Sequence, residues 1–377
     1  KGLKALQKGQ VNKKNPSGPP QAQIDAVISL YSRGLIQEAL SASETLIKDY
    51  PSNILLYNIS GTCCARLGQL DAAVKCFEKA LAIKPDYVEA QCNLGNTLKE
   101  LGQLGAALKS YEQALAIKPD FAEAHSNLGN TLKELGQLEE AVKSYEQALA
   151  IKPEYAEAHN NLGITLQELG QLDAAVKSYE QALAIKPNYA EAHSNLGNTL
   201  KELGQLEAAV KSYEQALAIK PDYAEAHSNL GNTLNDLGQP EEAVKSYEQA
   251  LAIKPDYAEA HYNLGATFQE LRQREEAVKS YEQALAIKPD YAEAHSNLGV
   301  TLKELGQLDA AVKSYEQALA IKPDYAEAHS NLGNTLKELG QLDAAVKSFE
   351  QALAIKPDFA EAHSNLGVTL QELGQLE

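Results

Sequence analysis

Residues 190–223 read AEAHSNLGNTLKELGQLEAAVKSYEQALAIKPDY, and close variants of this stretch recur along most of the chain. Within it, Ala192, Leu196, Leu200 and Leu203 follow the three-to-four spacing of an amphipathic helix, which Gly204 is suited to end. A second such pattern, Leu206, Ala209, Val210, Tyr213, Ala216, Leu217 and Ile219, runs until Pro221 forbids its continuation. The stretch therefore predicts two helices, A and B, closed by a proline turn. Asp222, three residues before Glu225, predicts a capping box that starts the next helix A.

Working outward, the closing proline returns every 34 residues, as Pro85, Pro119, Pro153, Pro187, Pro221, Pro255, Pro289, Pro323 and Pro357. A fixed period of this size marks a stacked-repeat solenoid, in which one helical hairpin cannot bury its apolar face alone and leans on its neighbours. The fold class is all-α, a solenoid of antiparallel helix pairs. Gly197, in the middle of helix A, costs about 1 kcal/mol against alanine, which makes sense where a partner helix needs the space. Ala209 and Ala216 are equally small. The large residue beside them is Tyr213, whose counterparts are Tyr111, Tyr145, Tyr179, Tyr247, Tyr281, Tyr315 and the phenylalanines Phe77 and Phe349.

Small residues at Gly197, Ala209 and Ala216, aromatic Tyr213 and closing Pro221 in a 34-residue helical hairpin resemble the tetratricopeptide repeat. In that phase, residues 1–19 form a basic arm and 20–53 a degenerate pair, with Val27 for the glycine and Ser43 for the aromatic, similar to an amino-terminal cap. Nine units fill 54–359, and a half unit, helix A and turn, fills 360–377. Leu366, Leu370 and Leu373 present a helix A face without its helix B, so the natural chain is expected to continue past Glu377 or to pack on another molecule. The resemblance implies a right-handed superhelix with helix A lining its concave side, where ligands bind.

On that side the reference unit is expected to carry Glu191, Ser194, Asn195, Asn198, Lys201 and Glu202. Asn195 has counterparts at Asn93, Asn127, Asn161, Asn229, Asn263, Asn297, Asn331 and Asn365, and Asn198 has them at Asn130, Asn232 and Asn334. A carboxamide donates and accepts at once, so a row of them suits the backbone of an extended peptide. The alternative is that the asparagines pair with neighbouring helices and water. The row is similar to that in the superhelical arm of O-linked N-acetylglucosamine transferases, which implies extended protein substrates, although no glycosyltransferase domain follows in these residues. Chaperone-adaptor tetratricopeptide domains clamp carboxylate tails with basic residues where this chain has Glu191 and Ser194, which argues against acidic tails. Uniformity breaks between Asn235 and Arg274: Pro240 replaces the turn leucine, Arg272 replaces the turn glycine, and Tyr262 and Phe268 depart as well. Tyr262 is expected to point into the groove, where it reads either as a local aromatic anchor or as neutral drift.

Composition narrows the partners. The net charge is −17, and with five lysines and no acid in residues 1–19 the remainder carries −17 − 5 = −22. Nucleic-acid binding rests on clustered lysine and arginine, so an acidic array argues against it. No apolar stretch reaches the roughly 20 residues that span a bilayer, and no membrane partner is expected. The reading is cytoplasmic, with a cleaved signal left open because the chain begins at Lys1. Four cysteines, Cys63, Cys64, Cys76 and Cys92, lack C-x-x-C spacing and read as packed thiols in a reducing compartment. The eight histidines, from His125 to His363, recur once per repeat, and equivalent positions stand roughly 8 to 10 Å or more apart, too far to share zinc.

With no nucleophile–base pair, phosphate loop or metal cluster, the visible chain is expected to be non-enzymatic and free of cofactors. The leading expectation is a scaffold holding a protein or peptide ligand in its concave groove. Two others stay open: the substrate-recognition arm of a larger glycosyltransferase or sulfotransferase, and a homo-oligomer or filament stacked head to tail through the uncapped end.

Overall fold

The computed structural model describes residues 18–374; the basic stretch 1–17 and residues 375–377 of the half unit lie outside them. Twenty-one helices follow one another as antiparallel pairs. The first pairs are α1 (Gln21–Ser32) with α2 (Ile36–Asp49), α3 (Ile54–Arg66) with α4 (Leu70–Ile83), and α5 (Val88–Glu100) with α6 (Leu104–Ile117). Then come α7 (Ala122–Glu134) with α8 (Leu138–Ile151), α9 (Ala156–Glu168) with α10 (Leu172–Ile185), and α11 (Ala190–Glu202) with α12 (Leu206–Ile219). They continue as α13 (Ala224–Asp236) with α14 (Pro240–Ile253), α15 (Ala258–Glu270) with α16 (Arg274–Ile287), and α17 (Ala292–Glu304) with α18 (Leu308–Ile321). Last are α19 (Ala326–Glu338) with α20 (Leu342–Ile355), and α21 (Ala360–Glu372). No helix among the described residues is long and apolar enough to cross a membrane.

The chain divides into two compact units, one ending at Lys186 and one starting at Pro187. Each has the same construction. In the first unit the odd-numbered helices α1 to α9 each touch the next odd helix, and in the second so do α11 to α21, whereas no even helix touches the next even one. Stacked hairpins that meet on one side only must bend toward that side. The odd helices, the A helices, therefore line the concave face within each unit.

The glycine in mid-helix is explained by its neighbour. A Cβ added at Gly197 would stand 2.8 Å from Cε1 of Tyr213, closer than packed atoms come, and Gly231 and Gly299 meet Tyr247 and Tyr315 in the same way. These tyrosines are sealed, with Tyr213 at 0% exposure. The first pair exchanges the volumes: Val27 is buried where others have glycine, and the small Ser43 is buried where others have the ring, its Oγ 2.7 Å from that of Ser60.

Helix A ends as the glycine predicted. Gly204 has φ +73°, its amide donates to Lys201 at 2.9 Å, and the next amide, Gln205, donates back to Leu200 at 2.8 Å. Arg272 takes up the same left-handed conformation, φ +60°, without glycine's freedom.

The start of helix A differs from expectation. The residue at the N-cap of α13 is Tyr223 rather than Asp222, and no side chain caps it. The proline turn places the aspartate one residue too early to reach the first-turn amides. Acidic residues in that turn do the work instead: the Glu123 carboxyl is held below its usual range first by Lys152, which donates to it at 3.1 Å, and then by its own backbone amide. Lys152 also lies over the Tyr155 ring, 4.5 Å from its centroid, so the same cation ties the turn together.

Candidate peptide-binding groove

The asparagines of the row all lie on A helices, and each one from Asn93 to Asn365 is half-buried. Most are engaged with one another. Asn127 donates its Nδ2 to Oδ1 of Asn96 at 3.0 Å, Asn161 to Asn130 at 3.0 Å, Asn229 to Asn198 at 3.0 Å, and Asn263 to Asn232 at 2.9 Å. The accepting oxygen serves twice. It also takes the phenol of its own repeat, as Tyr111 donates to Asn96 at 2.7 Å, Tyr145 to Asn130 at 2.6 Å, Tyr213 to Asn198 at 2.7 Å and Tyr247 to Asn232 at 2.7 Å.

In these four repeats one carboxamide therefore satisfies both the buried phenol of its own repeat and a half-buried carboxamide of the next. Leaving either donor unpaired costs about 1–3 kcal/mol, so the position is under strong physical constraint. A hydrophobic residue there demands replacements, and the chain supplies them. In the Ile164 repeat, Gln167 stands in for the usual lysine and accepts from Tyr179 at 3.3 Å; in the Ala266 repeat, Gln269 accepts from Tyr281 at 3.0 Å. The second duty passes to the position of Ser194. There Asn58 accepts from Asn93 at 3.0 Å, and the Tyr262 hydroxyl accepts from Asn297 at 3.0 Å.

This corrects two expectations of side-chain direction. Ser194 is buried, at 3% exposure, rather than facing the groove. Tyr262, at the equivalent position, is half-buried: its ring lies 4.8 Å from that of Tyr291 and 5.9 Å from that of Tyr281, against the core of the following repeats. Both point into the junction between repeats because their place on helix A faces the next hairpin. The joint departure of Ala266 with Gln269 and of Ile164 with Gln167 was a signal of this network in the sequence.

Charges on the concave face are paired between repeats. Lys99 meets Glu134 at 3.0 Å, Lys133 meets Glu168 at 3.6 Å, Lys201 meets Asp236 at 3.1 Å, Lys303 meets Glu338 at 2.8 Å and Lys337 meets Glu372 at 3.1 Å. Where Gln269 removes a lysine, Arg274 reaches Glu304 at 2.7 Å. These partly exposed pairs contribute little stability each.

Each histidine from His125 to His363 places Nε2 about 3 Å from the carbonyl of its preceding closing proline, for example His193 on Pro187 at 3.0 Å. No group of three or more potential metal ligands occurs among the described residues. Cys63, Cys64 and Cys92 are buried free thiols, and burial raises Cys64 and Cys92 to about 11.

A family model described as TPR repeat matches this chain in nine segments that together cover residues 64–271 and 273–374. Among solved structures, the chain is similar to the Cut9–Hcn1 hetero-tetramer of the APC/C, at 15% identity over 92% of this chain and 83% of that one, with TM-score 0.51. It is also similar to PilF of Pseudomonas aeruginosa, at 20% identity over 56% of this chain and 97% of that one, with TM-score 0.51. A third is YrrB, a TPR protein with an unusual peptide-binding site, at 25% identity over 50% of this chain and 97% of that one, with TM-score 0.45. At these identities the first two likenesses concern the fold alone. No curated protein matches the chain at a significant level.

Proposed function

The chain belongs to the TPR repeat family, and from that premise we propose that it is a non-catalytic scaffold that holds an extended peptide segment of another protein along its A helices. The observation that carries this reading is the concave row of carboxamides. Each has two N–H donors and a carbonyl with two lone pairs, so a rung that donates one N–H to its neighbour retains hydrogen-bonding capacity for a passing backbone. Asn93, Asn127, Asn161, Asn229, Asn263 and Asn297 are of this kind. One hydrogen bond contributes about 0.5–1.5 kcal/mol net, so affinity comes from several rungs acting together.

The test is where a bound peptide lies. A linear peptide selected from a displayed random library and carrying a photo-activatable benzophenone is expected to crosslink to A helices. Crosslinks confined to the exposed faces of the B helices, around Lys211 or Lys313, would contradict the reading.

A further inference from the structure

The carboxamide row begins at Asn93, and the two A helices before it, α1 and α3, carry different residues at the positions that make the groove polar. Ile28 stands at the position of Asn198 and Ile59 at that of Asn195, so the first junction has two isoleucines where a later one has the bonded pair Asn198 and Asn229. Tyr31 stands at the position of Lys201 and Arg66 at that of Glu202. In place of an ion pair such as Lys201 with Asp236, the Arg66 guanidinium lies over the Tyr31 ring, 5.0 Å from its centroid. Thr62, also at the position of Asn198, spends its hydroxyl on the carbonyl of Asn58 at 2.8 Å.

Ile28, Tyr31, Asn58, Ile59 and Thr62 line a cavity of about 190 Å³ between α1 and α3. Its walls belong to two complete hairpins: α1 and α3 touch directly, and each packs on its own helix B, α2 or α4. Two isoleucines and an aromatic ring dominate that lining, and of its polar groups the Thr62 hydroxyl and the Asn58 Oδ1 are already engaged, the latter by Asn93. A concavity of this kind gives water few partners and gains by taking up apolar surface. It is continuous with the carboxamide row, because Thr62 also lines the next cavity along the A helices, which Arg66, Asn93 and Asn96 share.

We propose that this cavity receives an apolar side chain, aliphatic or aromatic, of the bound peptide and so fixes the peptide's register along the groove. The assignment rests on the groove reading above and names the residue class it selects. An extended chain advances about 3.3 Å per residue and neighbouring helices pack roughly 8–10 Å apart, so a backbone that lowers one side chain between α1 and α3 reaches the amide of Asn93 on α5 within about three to five residues. The cavity selects a side chain, whereas the carboxamides beyond it hold the backbone of any sequence.

The experiment measures fluorescence anisotropy of the library-selected linear peptide on the whole chain and on variants whose thermal melts are recorded alongside. An alanine scan of the peptide is expected to find one apolar residue whose loss weakens binding at least tenfold, and benzophenone put in its place should label α1 or α3. I28N/I59N installs the residues of the Asn198 and Asn229 pair and is expected to lose the same tenfold, with no further loss on the alanine peptide. Y31K/R66E installs the lysine–carboxylate pair of later junctions and is expected to weaken binding as well, a second reading should the first variant melt early. I164N, the same exchange at the equivalent position of a later repeat, should change affinity less than twofold. Full or tighter binding by both double variants, the result if the chain's own residues 1–17 fill the cavity, or an equal loss in I164N, would overturn the subsite and leave the groove standing while the peptide still labels A helices. Label on the B helices would remove both.

Discussion

The repeat centred on Asn232 and the repeat centred on Val300 have the same backbone, the same Gly-against-Tyr packing and the same sealed phenol, yet one closes its polar network and the other does not. Asn232 accepts from Tyr247 at 2.7 Å and from Asn263 at 2.9 Å. Val300 offers neither Tyr315 nor Asn331 an acceptor, and the Tyr315 hydroxyl is buried unpaired. The difference teaches that the Gly-against-Tyr packing persists without the shared acceptor, while one polar atom decides whether the donors at that junction are satisfied.

Alkaline pH is the perturbation of largest effect, and it acts on both repeats alike. Burial raises the phenols of Tyr247 and Tyr315 well above the ordinary value of 10, and that of Tyr291 to about 12. The unfolded chain ionises first, so stability is intact below about pH 10 and falls as pH rises through the folded values. The part of the phenolate absorbance at 295 nm that comes from the sealed rings should appear together with loss of helical circular dichroism; ionisation of these rings before unfolding would contradict their sealing.

Making the first repeat resemble the second is the next largest. Asn232→Val strands the Tyr247 hydroxyl and the Asn263 amide, and is expected to cost about 2–4 kcal/mol in urea denaturation. The reverse change, Val300→Asn, supplies the missing acceptor and should stabilise by about 1–2 kcal/mol. No gain would mean that the orphaned groups find satisfaction by another route. Smaller still, Arg272→Gly relieves a left-handed arginine in the neighbouring repeat and should raise stability by about 1 kcal/mol, read from the same denaturation curve.

Much of this was legible in the sequence. The 34-residue spacing, Gly197 opposite Tyr213 and Gly204 at the end of helix A each carry their own physical reason, so helix pairs and their packing follow from residue size and backbone freedom. The asparagine positions were visible too, but their mutual bonding was not. A donor in one repeat and an acceptor 31 residues earlier meet only because of the angle at which successive A helices pack, as in Asn229 and Asn198. Ser194 was misplaced because a hydroxyl suggests solvent, whereas its helical position faces the next hairpin. The Asp222 capping box failed over a single residue, because the turn after Pro221 decides where the first helical amide points.

The shared-acceptor account is tested most directly by a double-mutant cycle of Asn232→Val with Tyr247→Phe, set beside Tyr315→Phe alone. The account predicts a coupling of about 1 kcal/mol or more for the first pair and little or no destabilisation from removing the Tyr315 hydroxyl. Additive effects in the cycle, or a loss at Tyr315 as large as at Tyr247, would contradict it.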